Sequence, residues 1–177
     1  MTGKLIMFTS EQLAFTPLEH AHWPLFLALH NDQKAMQYVG DVKPEHCVRA
    51  KFEHRLVTNV ASAHSCWVIS QKRTNEDIGV IGFERVADDA AELGYMLLSQ
   101  VQGRGYGTEA LGALLLYSRE HLGISRLLAT VTQGNEASKC ILMKHGFKQL
   151  ETINTGYRIG GKVVNDWRFE LCINAQK

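Results

Sequence analysis

Apolar positions recur first at strand spacing and then at helical spacing over the N-terminal third of the chain. Segments 5–8 and 13–17, separated by Ser10 and Glu11, predict an opening bent strand or hairpin. From 18 to 30, Leu18, Ala21, Leu25, Ala28 and Leu29 fall at helical spacing. Residues 31–43 are mixed and predict a short helix plus loop. A second helix is expected over 44–60, with Pro44 in its first turn and Cys47, Ala50, Leu56 and Val60 along one side.

The period then becomes two. HSCWVISQ (64–71), IGVIGFERV (78–86) and AELGYMLL (91–98) read as strands joined by polar turns, an antiparallel meander. A Gly-rich loop leads into a helix over 108–122, with Leu111, Leu114, Leu115 and Leu122 on one face. LLATVT (127–132) is a buried strand. Residues 135–145 form a short helix with Asn135 as N-cap and Gly146 just beyond its end. Strands over 147–154 and 162–173 flank a turn at Gly160 and Gly161. The order β–α–α–β–β–β–α–β–α–β–β predicts an α/β fold with one mixed sheet covered by helices. No linker or repeat divides it, and 177 residues suit a single domain over 1–177.

Composition narrows the function classes. The chain is 45% hydrophobic and 21% charged, ordinary globular usage that excludes wholesale disorder. A net charge of +1 argues against nucleic acid as a partner, because duplex affinity rests on a clustered basic excess. Four scattered cysteines, Cys47, Cys66, Cys140 and Cys172, form no CxxC pair and read as reduced, mostly packed thiols of a cytosolic protein. MTGKLIMFTSEQ lacks the apolar core of a signal peptide, and no apolar run approaches the roughly 18 residues of a membrane span. A cytoplasmic protein without membrane partners is expected. His20 and His22 diverge on a helix, and no HExxH, zinc-spaced Cys/His set or GxSxG elbow occurs, so no metal is expected. Trp23, Trp67 and Trp167 read as core or pocket walls.

The most informative segment is Gln102-Gly103-Arg104-Gly105-Tyr106-Gly107-Thr108. It follows an apolar strand and opens a helix. Three alternating glycines let backbone approach a ligand closely, and consecutive N–H groups at a helix N-terminus cradle an anion such as a pyrophosphate. No Lys follows Gly107, so this is not a P-loop. Thr108 stands where a dinucleotide fingerprint starting at Gly103 needs its third glycine.

Gln102-x-x-Gly105-x-Gly107 resembles the acyl-CoA pyrophosphate loop of the GNAT superfamily of N-acetyltransferases. The flanks AELGYMLL and TEALGALLLY, with Asn135-Glu-Ala-Ser138 and Lys144-His-Gly146-Phe147, are similar to the RimJ/RimL-like ribosomal-protein N-terminal acetyltransferases. Asp166 in the last strand is a weaker match. The resemblance is sharp over 77–171. It implies acetyl-CoA in a V between two splayed strands, here 91–98 and 127–132. Backbone groups of Met96, Leu97 and Leu98 would pair with the pantetheine, and the amides of Gln102, Gly103, Arg104, Gly105, Tyr106, Gly107 and Thr108 would hold the pyrophosphate. Asn135 would touch the CoA arm or simply cap its helix.

Glu92 shares a strand face with Gly94, Met96 and Leu98 and is the candidate base; a salt-bridged strand carboxylate is the plainer alternative. Many superfamily members carry a Tyr acid late in the helix that Asn135 opens, but Leu142 stands there. Ser138 is the matching acid candidate, with Tyr106 and Tyr95 as fallbacks. The implied activity moves acetyl from acetyl-CoA to a primary amine by direct attack. The leading acceptor is a protein N-terminus of ribosomal-protein type. Small amines (polyamines, amino acids, aminoglycosides) and a non-catalytic CoA-binding module are the alternatives, in a monomer or homodimer. Acidic residues for a polycation, Asp32, Asp41, Glu45 and Glu92, are dispersed in sequence.

Overall fold

The structure is a computed structural model that describes residues 6–56 and 64–173. Leu5 and Val60, part of the expected first strand and second helix, lie outside the described residues. A short strand β1 (Phe8–Thr9) hairpins into β2 (Leu13–Pro17). Helices α1 (Trp23–Asn31), α2 (Gln33–Met36) and α3 (Glu45–Arg55) follow. Strands β3 (His64–Gln71), β4 (Asp77–Ala87) and β5 (Ala90–Leu97) form the expected meander. Helix α4 (Tyr106–His121) crosses to β6 (Arg126–Thr132), and α5 (Glu136–Lys144) leads to β7 (Lys148–Ile153). A separate hairpin, β8 (Arg158–Ile159) and β9 (Lys162–Val163), precedes β10 (Asp166–Cys172).

Eight strands make one sheet in the order β1-β2-β3-β4-β5-β6-β10-β7, antiparallel at every step except the parallel β5–β6 pair. Alternation along the strands feeds two cores. Trp67, Ile69, Ile81, Leu93, Leu97 and Phe169 pack with Leu111 and Leu114 of α4. On the other face Cys66, Val68 and Val80 meet Leu25, Phe26 and Leu29 of α1 and Val48 and Phe52 of α3. Gly82 has to lack a side chain, because a Cβ there would run into the Ser65 carbonyl of the adjacent strand.

Several local expectations change. Leu18 precedes the first helix; one 3-10 turn (His20–His22) comes first, and the α-helix starts where Pro24 fills its N-terminal turn. The buried face of α1 is Leu25, Phe26, Leu29 and His30, and Ala28 is exposed. Pro44 is the N-cap of α3, whose buried residues are Val48 and Phe52 while Ala50 is exposed. Both faces are rotated from expectation because adjacent apolar residues offered two overlapping stripes, and the sheet selected one. Helix α4 begins at Tyr106, two residues earlier than expected. The strand expected over 162–173 is split, because the turn at Gly160 and Gly161 (φ 57° and 77°) closes β8–β9 as an independent hairpin. Of the four thiols only Cys66 is buried, Cys47 is half-buried, and Cys140 and Cys172 are exposed.

Candidate active site

Strands β5 and β6 pair only through Ala90–Arg126, Ala91–Leu127 and Glu92–Leu128. Beyond Glu92, β5 stays registered with β4 to Leu97, and β6 stays registered with β10 to Thr132. The two strands therefore part company toward the C-terminal end of β5. A cavity of about 460 Å3 occupies the opening, walled by Gly94, Tyr95 and Met96 on one side and Thr130, Val131 and Thr132 on the other. That volume is within the range of small-molecule sites. A Cβ on Gly94 would meet nothing within 4 Å, so β5 presents bare backbone to the cavity there.

Which backbone groups face the opening follows from the register. The Leu98 N–H donates to the Ile78 carbonyl at 2.9 Å. In an antiparallel pair each residue turns both its N–H and C=O to one side, so, contrary to the expectation for Met96 and Leu98, Met96 also addresses β4 and the Leu98 groups are already bonded, while Tyr95 and Leu97 address the gap. The Leu97 carbonyl accepts from Gln102 Nε2 at 3.0 Å, which folds the glycine loop back onto the strand end.

One 3-10 turn (Ser99–Val101) after β5, the loop reaches α4. Gly103 (φ 76°) and Gly105 (φ 87°) adopt left-handed backbone with nothing within 4 Å of a notional Cβ. Gly105 is the N-cap, so the N–H groups of Tyr106, Gly107 and Thr108 have no acceptor within the helix. A phosphate would find both clearance and donors there. Gly107 is buried, where a Cβ would press on Ile141 of α5 at 3.0 Å. Arg104 is exposed, and the Tyr106 hydroxyl donates to Gln71 Oε1 at 3.4 Å. Glu109 braces this end by accepting from the Ser10 hydroxyl and the Gln12 N–H, both at 2.6 Å.

Asn135 caps α5, its Oδ1 accepting from the Ser138 N–H at 3.2 Å, and both residues line the cavity. The Tyr95 hydroxyl is buried and makes no full hydrogen bond. Burial raises its pKa and interaction with the Ser138 side chain works against the rise, so the phenol stays protonated at neutral pH. Leu142 is buried in the cavity wall. Glu92 sits on β5 two residues before Gly94, opposite Glu84, and is not part of the wall.

Thus Met96, Asn135 and Ser138 meet at the cavity, with the loop at the end of the opening and Glu92 at its closed end. Several wall residues carried no signal in the sequence. The Thr132 hydroxyl donates to the Tyr38 carbonyl at 2.9 Å and lies 2.7 Å from the Tyr157 hydroxyl, which in turn donates to Asp166 Oδ1 at 3.0 Å. His30, buried at the end of α1, donates through Nδ1 to the Phe26 carbonyl at 2.9 Å, leaving Nε2 as an acceptor. Burial lowers its pKa, and the charges of Lys51 and Arg55 lower it further. His30, Tyr38, Thr132, Tyr157 and Asp166 converge from five segments, and of them the sequence singles out only Asp166.

A strand pair that splays beside a glycine loop at a helix N-terminus is the architecture of an acyl-CoA N-acyltransferase. The chain belongs to the acetyltransferase (GNAT) domain family, whose profile matches residues 12–148; domains of this class take their acetyl group from acetyl-CoA. It is 36% identical over 85 residues to the uncharacterised N-acetyltransferase YoaA of Bacillus subtilis (strain 168), covering 47% of this chain and 48% of YoaA. It is 31% identical over 93 residues to the ribosomal-protein-serine acetyltransferase of Escherichia coli (strain K12), 48% and 52% of the two chains. These matches span about half the length of each relative. A CoA-bound RimL, a ribosomal L7/L12 alpha-N-protein acetyltransferase, superposes with a TM-score of 0.84 at 20% identity, over 97% of this chain and 100% of RimL. Spermidine N-acetyltransferase from Vibrio cholerae, with CoA and spermine, superposes at 0.80 with 17% identity, over 92% and 96%. At those identities both structures speak for the fold.

Among the described residues no helix is long and apolar enough to cross a membrane, and no three His, Cys, Asp or Glu side chains group to hold a metal.

Proposed function

We propose that this protein acetylates a primary amine, with a protein N-terminal amine of ribosomal-protein type as acceptor. The observation that carries the reaction type is the cavity running through the β5–β6 opening. It joins the α5 side, where Asn135 and Ser138 stand, to the α1 and α3 side, where His30 and Lys51 stand. A donor held on one face can meet an acceptor entering from the other. The ribosomal-protein acceptor is supported by the E. coli relative, a ribosomal-protein-serine acetyltransferase, and by RimL. The polyamine alternative finds one carboxylate, Asp166, among the described residues of the cavity wall. Asp32 and Asp41 accept backbone N–H groups of Ser99 and Gly160, and neither these nor Glu45 and Glu92 wall the cavity.

Bound acetyl-CoA supplies the thioester whose acetyl carbon the amine nitrogen attacks. The amides of Gly103 to Thr108 hold the pyrophosphate, the Gln102 N–H being donated to the Ser99 carbonyl, and the gap-facing N–H of Tyr95 or Leu97 stabilises negative charge on the acetyl oxygen. Ser138, with Tyr95 beside it, delivers a proton to the departing sulfur as the carbon–sulfur bond breaks. The proton leaving the amine goes to Glu92 through water, since Glu92 stands behind the wall. His30 is the rival base, because it lines the cavity and its Nδ1 is occupied by the Phe26 carbonyl, leaving Nε2 as acceptor. An α-amine, with a pKa near 7.7–8.0, needs little help from either.

The test is thiol release with acetyl-CoA and a seryl N-terminal peptide, followed by mass analysis of the peptide. Acetylation at the α-amine is expected, with Glu92→Gln lowering kcat while the acetyl-CoA Kd holds. Release confined to spermidine, or no peptide product, would refute the acceptor. An unchanged pH–rate profile in Glu92→Gln would pass the base role to His30.

A further inference from the structure

The two ends of the cavity differ in charge. Val48 and Phe52 turn one side of α3 into the core, which leaves Lys51, His54 and Arg55, at i, i+3 and i+4, together at the cavity mouth. All three are exposed. Their neighbouring acids are engaged elsewhere: Glu53 pairs with Arg49 at 3.8 Å, and Glu84 with His64 at 3.6 Å. Among the described residues neither Lys51 nor Arg55 forms an ion pair. Their charge nevertheless acts inside the cavity, on His30 from both and on the buried Cys66 thiol from Arg55. Among the described residues the single carboxylate in the wall, Asp166, lies across the opening on β10 and is tied to Tyr157, whereas α3 packs on β3.

We infer that the α3 mouth, through Lys51 and Arg55, binds a carboxylate carried by the acceptor, so that this enzyme prefers an amine with acidic groups close behind it. This rests on the N-terminal acceptor proposed above and narrows it to a peptide whose residues after the first are acidic. A bipolar cavity, acidic at β10 and basic at α3, fits an amine and a carboxylate on one molecule. It opposes a polycation, which would bring its second ammonium to Lys51 and Arg55. Because the two cations are exposed, their contribution is modest and screened by salt.

The experiment compares kcat/KM for three peptides that share an N-terminal Ser and continue with Asp and Glu, with Ala, or with Lys. Free glutamate and spermidine are run beside them. Wild type and the Lys51→Gln, Arg55→Gln double variant are measured at low and high salt. The acidic peptide is expected to lead the alanine peptide by about five- to tenfold at low salt, the scale of two exposed charge contacts. That ratio should fall toward one in the double variant and in high salt. Equal rates on all three peptides would overturn the inference and leave the N-terminal acceptor standing. A lead for the acidic peptide that survives the double variant would overturn the role of Lys51 and Arg55. Turnover of glutamate alone, lost in the double variant, would uphold the carboxylate site and remove the peptide. A preference for the lysine peptide or spermidine would remove both.

Discussion

The two faces of the sheet meet the same cavity with different materials. On the α4 and α5 face the apparatus is mostly backbone: left-handed Gly103 and Gly105, the open N–H groups of the first α4 turn, and an Asn cap on α5. It occupies two short stretches of chain, 102–108 and 135–138. On the α1 and α3 face it is side chains drawn from His30, Lys51, Thr132, Tyr157 and Asp166, over a hundred residues apart in places. Backbone can hold a constant ligand, because N–H groups and clearance suffice for a phosphate. Discriminating among amines needs side chains, and those are assembled only by folding.

The comparison breaks most sharply at Gly105. Gly105→Glu puts a carboxylate where an anion is to sit, and acetyl-CoA affinity should fall at least ~100-fold, about 2.7 kcal/mol. Calorimetric titration measures it, and circular dichroism checks the fold: the added atoms meet open space, while the φ of 87° adds about 1–2 kcal/mol of backbone strain. Retained affinity would mean that the α4 face does not bind the cofactor. Gly94→Leu probes the opening between the faces. Its side chain would fill the cavity from β5 and displace the reactants, at a cost on the order of 100-fold in kcat/KM. The melting temperature should hardly move. If rate survives, the reaction occurs elsewhere.

Tyr95→Phe separates function from stability. Removing a buried hydroxyl without a full partner should stabilise by about 1 kcal/mol, a rise of roughly 2–4 °C in Tm. The acetylation rate should drop, toward the lower end of the ~10²–10⁴ range of acid–base help, because Ser138 remains. A variant that is both more stable and fully active would free Tyr95 from any chemical role. The smallest effect belongs to Asp32, which links the faces by accepting from Lys34 and Ala35 N–H in α2 and from Ser99 N–H beyond β5. Asp32→Ala should cost about 1–2 kcal/mol. Burial pushes the Asp32 carboxyl up, but those three N–H groups prevail and hold it below its ordinary 3.8. Its folded pKa being depressed, the contribution is complete above pH 3.8 and is lost as pH falls through the lower folded value. Denaturant melts of wild type and variant should therefore converge in acid and separate near neutrality.

The strands of the meander were legible because period-two patterning between polar turns leaves little choice, and His64–Gln71 lies where the pattern placed it. Asn135 announced its helix through capping chemistry, and the glycine loop announced an anion site through the spacing of Gly103, Gly105 and Gly107. Helix faces were another matter. In α1 the run Leu25, Phe26, Leu27 and Leu29 supports two overlapping stripes, and in α3 a one-residue rotation exchanges Cys47 for Val48. That rotation is what brings Lys51 and Arg55 to the cavity.

By itself the sequence determined the order of the main elements and the glycine loop, because periodicity, caps and positive-φ turns are decided within a few residues, and its motifs carried the resemblance to the family. The tertiary structure decided where β5 leaves β6, which backbone groups face the gap, and which charges ring the acceptor mouth. Those depend on the register of β5 against β4 and on the packing of α3 on the sheet, both set by contacts between segments far apart in the chain.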